Sequence, residues 1–123
     1  MKLTKILICL LIFWTGTLSA SPYFSFKKYQ VEDGLSHNTV WCALQDSYGF
    51  IWLGTSDGLN RYDGRGNKVY RNVFNDKFSL ENNFVEALIE VDKNIWVGTN
   101  SGLYIYDRDT DRFSCFDKTT QYN

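Results

Sequence analysis

The chain has one histidine and three cysteines in 123 residues. Cys9 lies inside an apolar run near the start, so Cys42 and Cys115 are the thiols of the remainder. One imidazole and two thiols, in no spacing that resembles a zinc motif, give a metal centre too few donors. A disulfide would need the two Cα atoms within about 7 Å. Cys42 and Cys115 fall in different sequence units, one in an innermost and one in an outermost segment, so buried free thiols are expected instead. Positive charge is also scarce. Lys and Arg number 13 against 14 Asp and Glu, and two of the 13 are Lys2 and Lys5. No basic patch or stripe appears, so the electrostatic footprint of nucleic-acid binding is missing.

The usual signs of catalysis are thin too. Gly64-Arg65-Gly66 lacks the spacing of a phosphate loop. His37 sits in a connecting segment, Gly34-Leu35-Ser36-His37-Asn38, with no nucleophile, base and orienting group around it. Asp33, Asp46, Asp57, Asp63, Asp92 and Asp107 mostly fall at turn positions. Asp63 and Asp107 recur at the same place in two copies, as a structural turn residue would, so a carboxylate pair for sugar hydrolysis is not indicated. No catalytic, metal or cofactor-binding residue is assigned, and no cofactor is expected. Only one long apolar run exists, Ile6–Trp14. With Lys2 and Lys5 before it and Leu18-Ser19-Ala20 after it, residues 1–20 read as an export signal cleaved after Ala20. Nine residues are too few to cross a hydrocarbon core of ~30 Å. The mature segment therefore has no membrane helix of its own.

The chain does carry a repeat. Ile51-Trp52-Leu53-Gly54-Thr55-Ser56-Asp57-Gly58-Leu59-Asn60-Arg61-Tyr62-Asp63 returns 44 residues later as Ile95-Trp96-Val97-Gly98-Thr99-Asn100-Ser101-Gly102-Leu103-Tyr104-Ile105-Tyr106-Asp107. A period in the 40–50 residue range is typical of propeller blades. Each unit buries its apolar faces only against its neighbours. Short β-rich runs separated by turn residues give four strands per unit. The first unit has them at 40–45, 50–55, 59–62 and 69–73, the second at 84–91, 94–98, 103–106 and 112–116. The fold class is therefore all-β, with about two four-stranded antiparallel propeller blades.

Residue roles follow from the pattern. Trp52 and Trp96 are expected between sheets, as part of a high aromatic content of 17%. Gly54 and Gly98 lie mid-strand, where glycine indicates a bend or a close backbone approach. Gly58 and Gly102 follow a polar pair and call for positive φ or a close approach. Thr55, Leu59, Tyr62, Thr99, Leu103 and Tyr106 complete the repeated motif, Leu59 and Leu103 starting the third strands. Ser47-Tyr48-Gly49 and Asp92-Lys93-Asn94 are hairpin turns, with Asn94 at the left-handed position. Asn82–Val91 also fits a helical stripe, but its counterpart holds Thr39, Val40, Trp41 and Cys42, which favour a strand. Trp41 and Tyr48 are assigned to packing rather than to a ligand surface.

The repeat Asp-x-x-Gly-x-Ile-Trp-Leu-Gly-Thr-x-x-Gly-Leu-x-x-Tyr-Asp closely resembles that of the two-component regulator propeller family. The segment Tyr29-Gln30-Val31-Glu32-Asp33-Gly34-Leu35-Ser36-His37-Asn38 resembles the way such proteins begin after their signal peptide. The resemblance implies a periplasmic sensor, the amino-terminal part of a hybrid histidine kinase. Its ligand would be an oligosaccharide and the full-length parent would be homodimeric. Kinase, receiver and DNA-binding boxes are not found in this sequence, and this segment is expected to be non-enzymatic. The resemblance also implies an incomplete propeller and the following division. Residues 21–37 form an outer closure strand, at Phe26–Val31, and its connector. Repeat 1 is 38–77, repeat 2 is 78–120, and 121–123 begin a third, truncated unit. An exported propeller-based carbohydrate-active enzyme and a self-assembling propeller module are the alternatives.

Overall fold

The computed structural model describes Lys2, Leu3 and residues 21–117. The cleavage site after Ala20, residues 118–120 of the second repeat and the third unit at 121–123 lie outside the described residues.

Each repeat folds into one antiparallel sheet of four strands in chain order. Sheet 1 contains β1 (Val40–Gln45), β2 (Ile51–Thr55), β3 (Gly58–Tyr62) and β4 (Asn67–Tyr70). Sheet 2 contains β5 (Val85–Val91), β6 (Asn94–Thr99), β7 (Gly102–Asp107) and β8 (Arg112–Cys115). The repeated Thr-x-x-Gly turn is built alike in both. Thr55 Oγ1 donates to Gly58 O at 2.9 Å, and Thr99 Oγ1 to Gly102 O at 3.0 Å. Gly58 and Gly102 take φ of +122° and +141°, a region closed to most side chains. The segment that also fitted a helical stripe is strand β5.

The sheets stack face to face as blades. Trp52, Leu59 and Tyr70 of sheet 1 and Val85, Ile95, Val97, Tyr104, Tyr106 and Phe113 of sheet 2 form one buried core with Leu80 from the connection. The Trp52 ring lies 5.0 Å from Tyr106 and 6.0 Å from Tyr70. Side chains of this size contribute roughly 1.5–3 kcal/mol each on full burial. Pairing of their rings adds about 0.5–1.5 kcal/mol. The blades therefore hold each other, as their alternating burial requires.

Three expectations are corrected. Residues 26–31 take no strand: 21–30 have no regular structure, and Val31–Asp33 form a 3-10 turn closed by Gly34 at φ +106°. A strand exists only against a partner ladder, and no described strand runs alongside this segment. In the β5–β6 hairpin the left-handed residues are Asp92 and Lys93, at φ 48° and 72°, while Asn94 already belongs to β6. Two positive φ values in a two-residue turn match the twist of the strands. The thiols remain free, but Cys42 is half-buried and Cys115 exposed. Cys115 is the last residue of the outermost strand, where little packs over it.

The two outer faces differ. On sheet 1, Ser36 bonds Asn60 and Thr55, Asn67 donates to Gly34 O at 2.6 Å, and Tyr29 packs on Tyr62. The amino-terminal segment thus covers part of that face and buries Leu35. On sheet 2, Ile89 and Ile105 stand opposite Trp96, and Leu103 opposite Gly98. Trp96 is half-buried, 5.1 Å from Phe116, with no described sheet over it. Its counterpart Trp52 is fully buried because sheet 2 covers it.

Candidate functional site

Of the repeated motif, Trp52, Gly54, Leu59 and Tyr106 meet at the seam between blades, while Trp96, Gly98, Leu103 and Tyr62 lie on the outer faces. A Cβ at Gly54 would meet Cys42 Sγ and stand 2.7 Å from Val85 Cγ1 and 2.9 Å from Val85 O. The blades touch backbone to side chain there, and only glycine fits. At Gly98 the nearest atom to such a Cβ is Ala87 Cβ of the adjacent strand, at 3.1 Å. Leu59 and Tyr106 are buried, while Leu103 and Tyr62 are half-buried on the outer faces.

One end of the seam is a polar clamp. Asp46 precedes the β1–β2 turn, which ends on Gly49 at φ +89°. Its carboxylate accepts from Tyr48 N, Phe50 N and the Trp52 indole N–H, the last at 2.6 Å. Arg108, from the β7–β8 turn, reaches it at 2.9 Å and Glu90 at 3.0 Å. Burial alone would raise the Asp46 carboxyl; hydrogen bonds from Trp52 and Arg108 outweigh it and hold the group below its ordinary range. Beside it, Asp111 pairs with Lys68 and accepts from Tyr70 and Tyr106 at 2.9 and 2.7 Å. Against the upward push of burial, these bonds bring Asp111 down to about 2. Arg61 donates to Tyr106 Oη at 3.0 Å. Every charge here is matched by another protein group, and these pairs join the two blades. A neighbouring cleft of about 190 Å³ is lined by Tyr70, Phe78, Phe113 and the Lys68–Asp111 pair. That is below the ~300 Å³ at which small-molecule sites begin.

The other end is open. A β-bulge between Val40 and Cys42 leaves Trp41 unpaired, and a bulge re-aims the side chain it inserts. Trp41 is 54% exposed. Its ring lies 5.3 Å from that of Phe84 at the entrance to β5. The indole N–H donates to Ser56 Oγ at 2.9 Å. Next to Ser56, Asp57 pairs with Arg71 at 3.2 Å and accepts from Asn83 at 3.3 Å. Asn83 also accepts from Gly58 N at 2.7 Å through its carbonyl and adjoins Phe84. The second blade has the same bulge, between Val85 and Ala87, but Glu86 occupies it. Trp41 therefore breaks the repeat at a surface position. Tyr48, at the far end of β1, is 59% exposed with the Arg108 guanidinium 4.5 Å from its ring centre. Neither aromatic packs in the core, which corrects the expectation for both. A bulge and a turn put them outside the alternation that buries Trp52 and half-buries Leu44.

His37 is exposed, and its Nδ1 accepts from Thr39 N at 2.9 Å. Among the described residues no three His, Cys, Asp or Glu side chains come together to hold a metal, and no helix is long and apolar enough to cross a membrane.

The sequence signature of the Two component regulator propeller family matches residues 34–57. The chain is 46% identical over 57 residues to Histidine kinase P4 of Formosa agariphila, covering 46% of this chain and 4% of that protein. A solved structure, described as the extracellular domain of a hybrid two component system from B. thetaiotaomicron, superposes with a TM-score of 0.67 at 32% identity. It covers 79% of this chain and 13% of that one. The chain thus spans a small fraction of the length of both relatives.

Proposed function

From a chain that carries two-component regulator propeller repeats and folds as two blades of an incomplete propeller, we propose a role in ligand sensing outside the cytoplasm. The segment is exported by residues 1–20 and works in the periplasm. It contributes blades to the sensor of a hybrid histidine kinase and performs no chemistry itself. Its ligand is an oligosaccharide. Ligand binding across the propeller shifts the relative placement of two parent subunits and so biases the kinase. The observation that carries this reading is the seam: Trp52 of one repeat is buried against Tyr106 of the next, the packing of a serial array. The two relatives support the sensor assignment by their descriptions.

The test is titration of the folded chain, followed by intrinsic tryptophan fluorescence and calorimetry, with neutral gluco-, manno-, xylo- and galacto-hexasaccharides. Saturable binding of one of them is expected; no binding of these or of uronate and sulfated oligosaccharides overturns the carbohydrate reading. The uncovered Trp96 face of sheet 2 favours a second reading, a module that assembles with its own copies. A discrete oligomer in sedimentation would support it, and a monomer or an irregular aggregate would remove it.

A further inference from the structure

We propose that Trp41 and Phe84 form a stacking shelf for one neutral pyranose ring, with the Ser56–Asp57 turn and Asn83 beside it supplying the hydrogen bonds. The inference rests on the carbohydrate reading above and names the contact surface for it.

Five residues close a circuit across the two blades. Trp41 is bonded to Ser56; Asp57 follows Ser56 and is bonded to Asn83; Phe84 follows Asn83 and meets Trp41 ring to ring. The rings are inclined by 40°, so together they make an angled apolar surface rather than a flat stack. Trp41 is held although it is more than half exposed. The bulge fixes where its backbone points, and the bond to Ser56 fixes the indole plane. A large exposed aromatic with a fixed orientation loses little side-chain entropy when a ligand covers it.

The chemistry around the shelf selects the ligand class. A pyranose has one face of axial C–H groups, which suits the electron-rich face of an aromatic ring, and a rim of hydroxyls that both donate and accept. Asn72 N already takes the Asn83 amide oxygen, but the Ser56 hydroxyl keeps its O–H, the Asn83 amide its second N–H and the Asp57 carboxylate further lone pairs, so both kinds of partner remain. Among the described residues, the cation that contacts this turn is Arg71, already paired with Asp57 and also donating to Asp57 O and Ser36 O. No unmatched positive charge is left for a carboxylate or sulfate, so the sugar is neutral. The shelf straddles the two blades, so a bound ring would also tie repeat 1 to repeat 2.

The experiment uses the same hexasaccharides and adds uronate and sulfated oligosaccharides as a second arm. Trp41→Ala and Phe84→Leu are each expected to weaken binding of the responsive neutral sugar at least about tenfold, a loss of about 1.4 kcal/mol. Tyr48→Ala, at the opposite end of β1, leaves affinity unchanged. Unaltered near-ultraviolet dichroism and urea midpoints show that the variants fold. If no sugar binds the unaltered chain, the carbohydrate reading fails. If a sugar binds and Trp41→Ala with Phe84→Leu changes nothing, or if only charged oligosaccharides bind, the shelf is overturned while that reading stands.

Discussion

At the scale of a residue, the seam is governed by what is missing. Gly54 lets Val85 approach so closely that a single methyl group cannot be added without moving a blade. Gly54→Ala is expected to destabilise the fold by about 1–3 kcal/mol, the usual cost of overpacking. Gly66→Ala is the control: nothing lies within 4 Å of its Cβ position, and the residue is exposed. Its effect is expected within about 0.5 kcal/mol, as for ordinary surface changes. Urea unfolding followed by tryptophan fluorescence measures both. Equal midpoints for the two variants would show that the blades do not meet at Gly54.

At the scale of an element, turn chemistry sets what each strand presents. Lys93 holds φ 72° in the β5–β6 hairpin, a conformation that costs a side-chain-bearing residue roughly 1 kcal/mol or more relative to glycine. Lys93→Gly is expected to raise stability by about 1 kcal/mol, read as a higher urea midpoint with an unchanged slope. Arg108 Nε bonds the Lys93 carbonyl, which glycine keeps. An unchanged or lower midpoint would refute this turn assignment. Strands were legible in the sequence wherever alternation and a polar-Gly punctuation coincided, as at Ile51–Thr55. The features that escaped depend on register or on a neighbour. Trp41 stands where a bulge adds a residue, and only alignment with Glu86 of the second copy marks it as a deviation. Asp46 stands six residues before Trp52 and Asp92 four before Trp96, a difference that marks only a turn of another length. The partner of Asp46, Arg108, lies 62 positions away along the chain, beyond any local pattern. The segment at 26–31 has strand composition but no ladder to join.

At the scale of the whole molecule, the two blades are joined by carboxylates. Asp46 and Asp111 have carboxyls held below their ordinary range, and so does Glu90, chiefly by the Ser47 hydroxyl. A carboxyl that binds protons less readily when folded stabilises the fold above its unfolded value of about 4. That contribution disappears as pH falls through the folded value, which for Asp111 is about 2. The urea midpoint is expected to stay level from pH 7 to about pH 5 and to drop between about pH 4 and pH 2. Asp111→Asn, which tolerates the φ of 55° there, should lower the neutral-pH midpoint and flatten part of the drop. A midpoint insensitive to acid would mean that the clamp contributes nothing to blade pairing.

The β7–β8 turn has one further effect. It places Arg108 and Asp111 where the β3–β4 turn of the first repeat has Gly64 and its neighbours. Modules that share a motif risk joining in the wrong sequence while they are being synthesised, because each apolar surface resembles the next. Arg108 recognises Asp46, and the second repeat has Val91 and Asp92 in the corresponding stretch. Adjacent modules therefore carry a lock and its key. For these two blades the joining order is written into the charges at one rim.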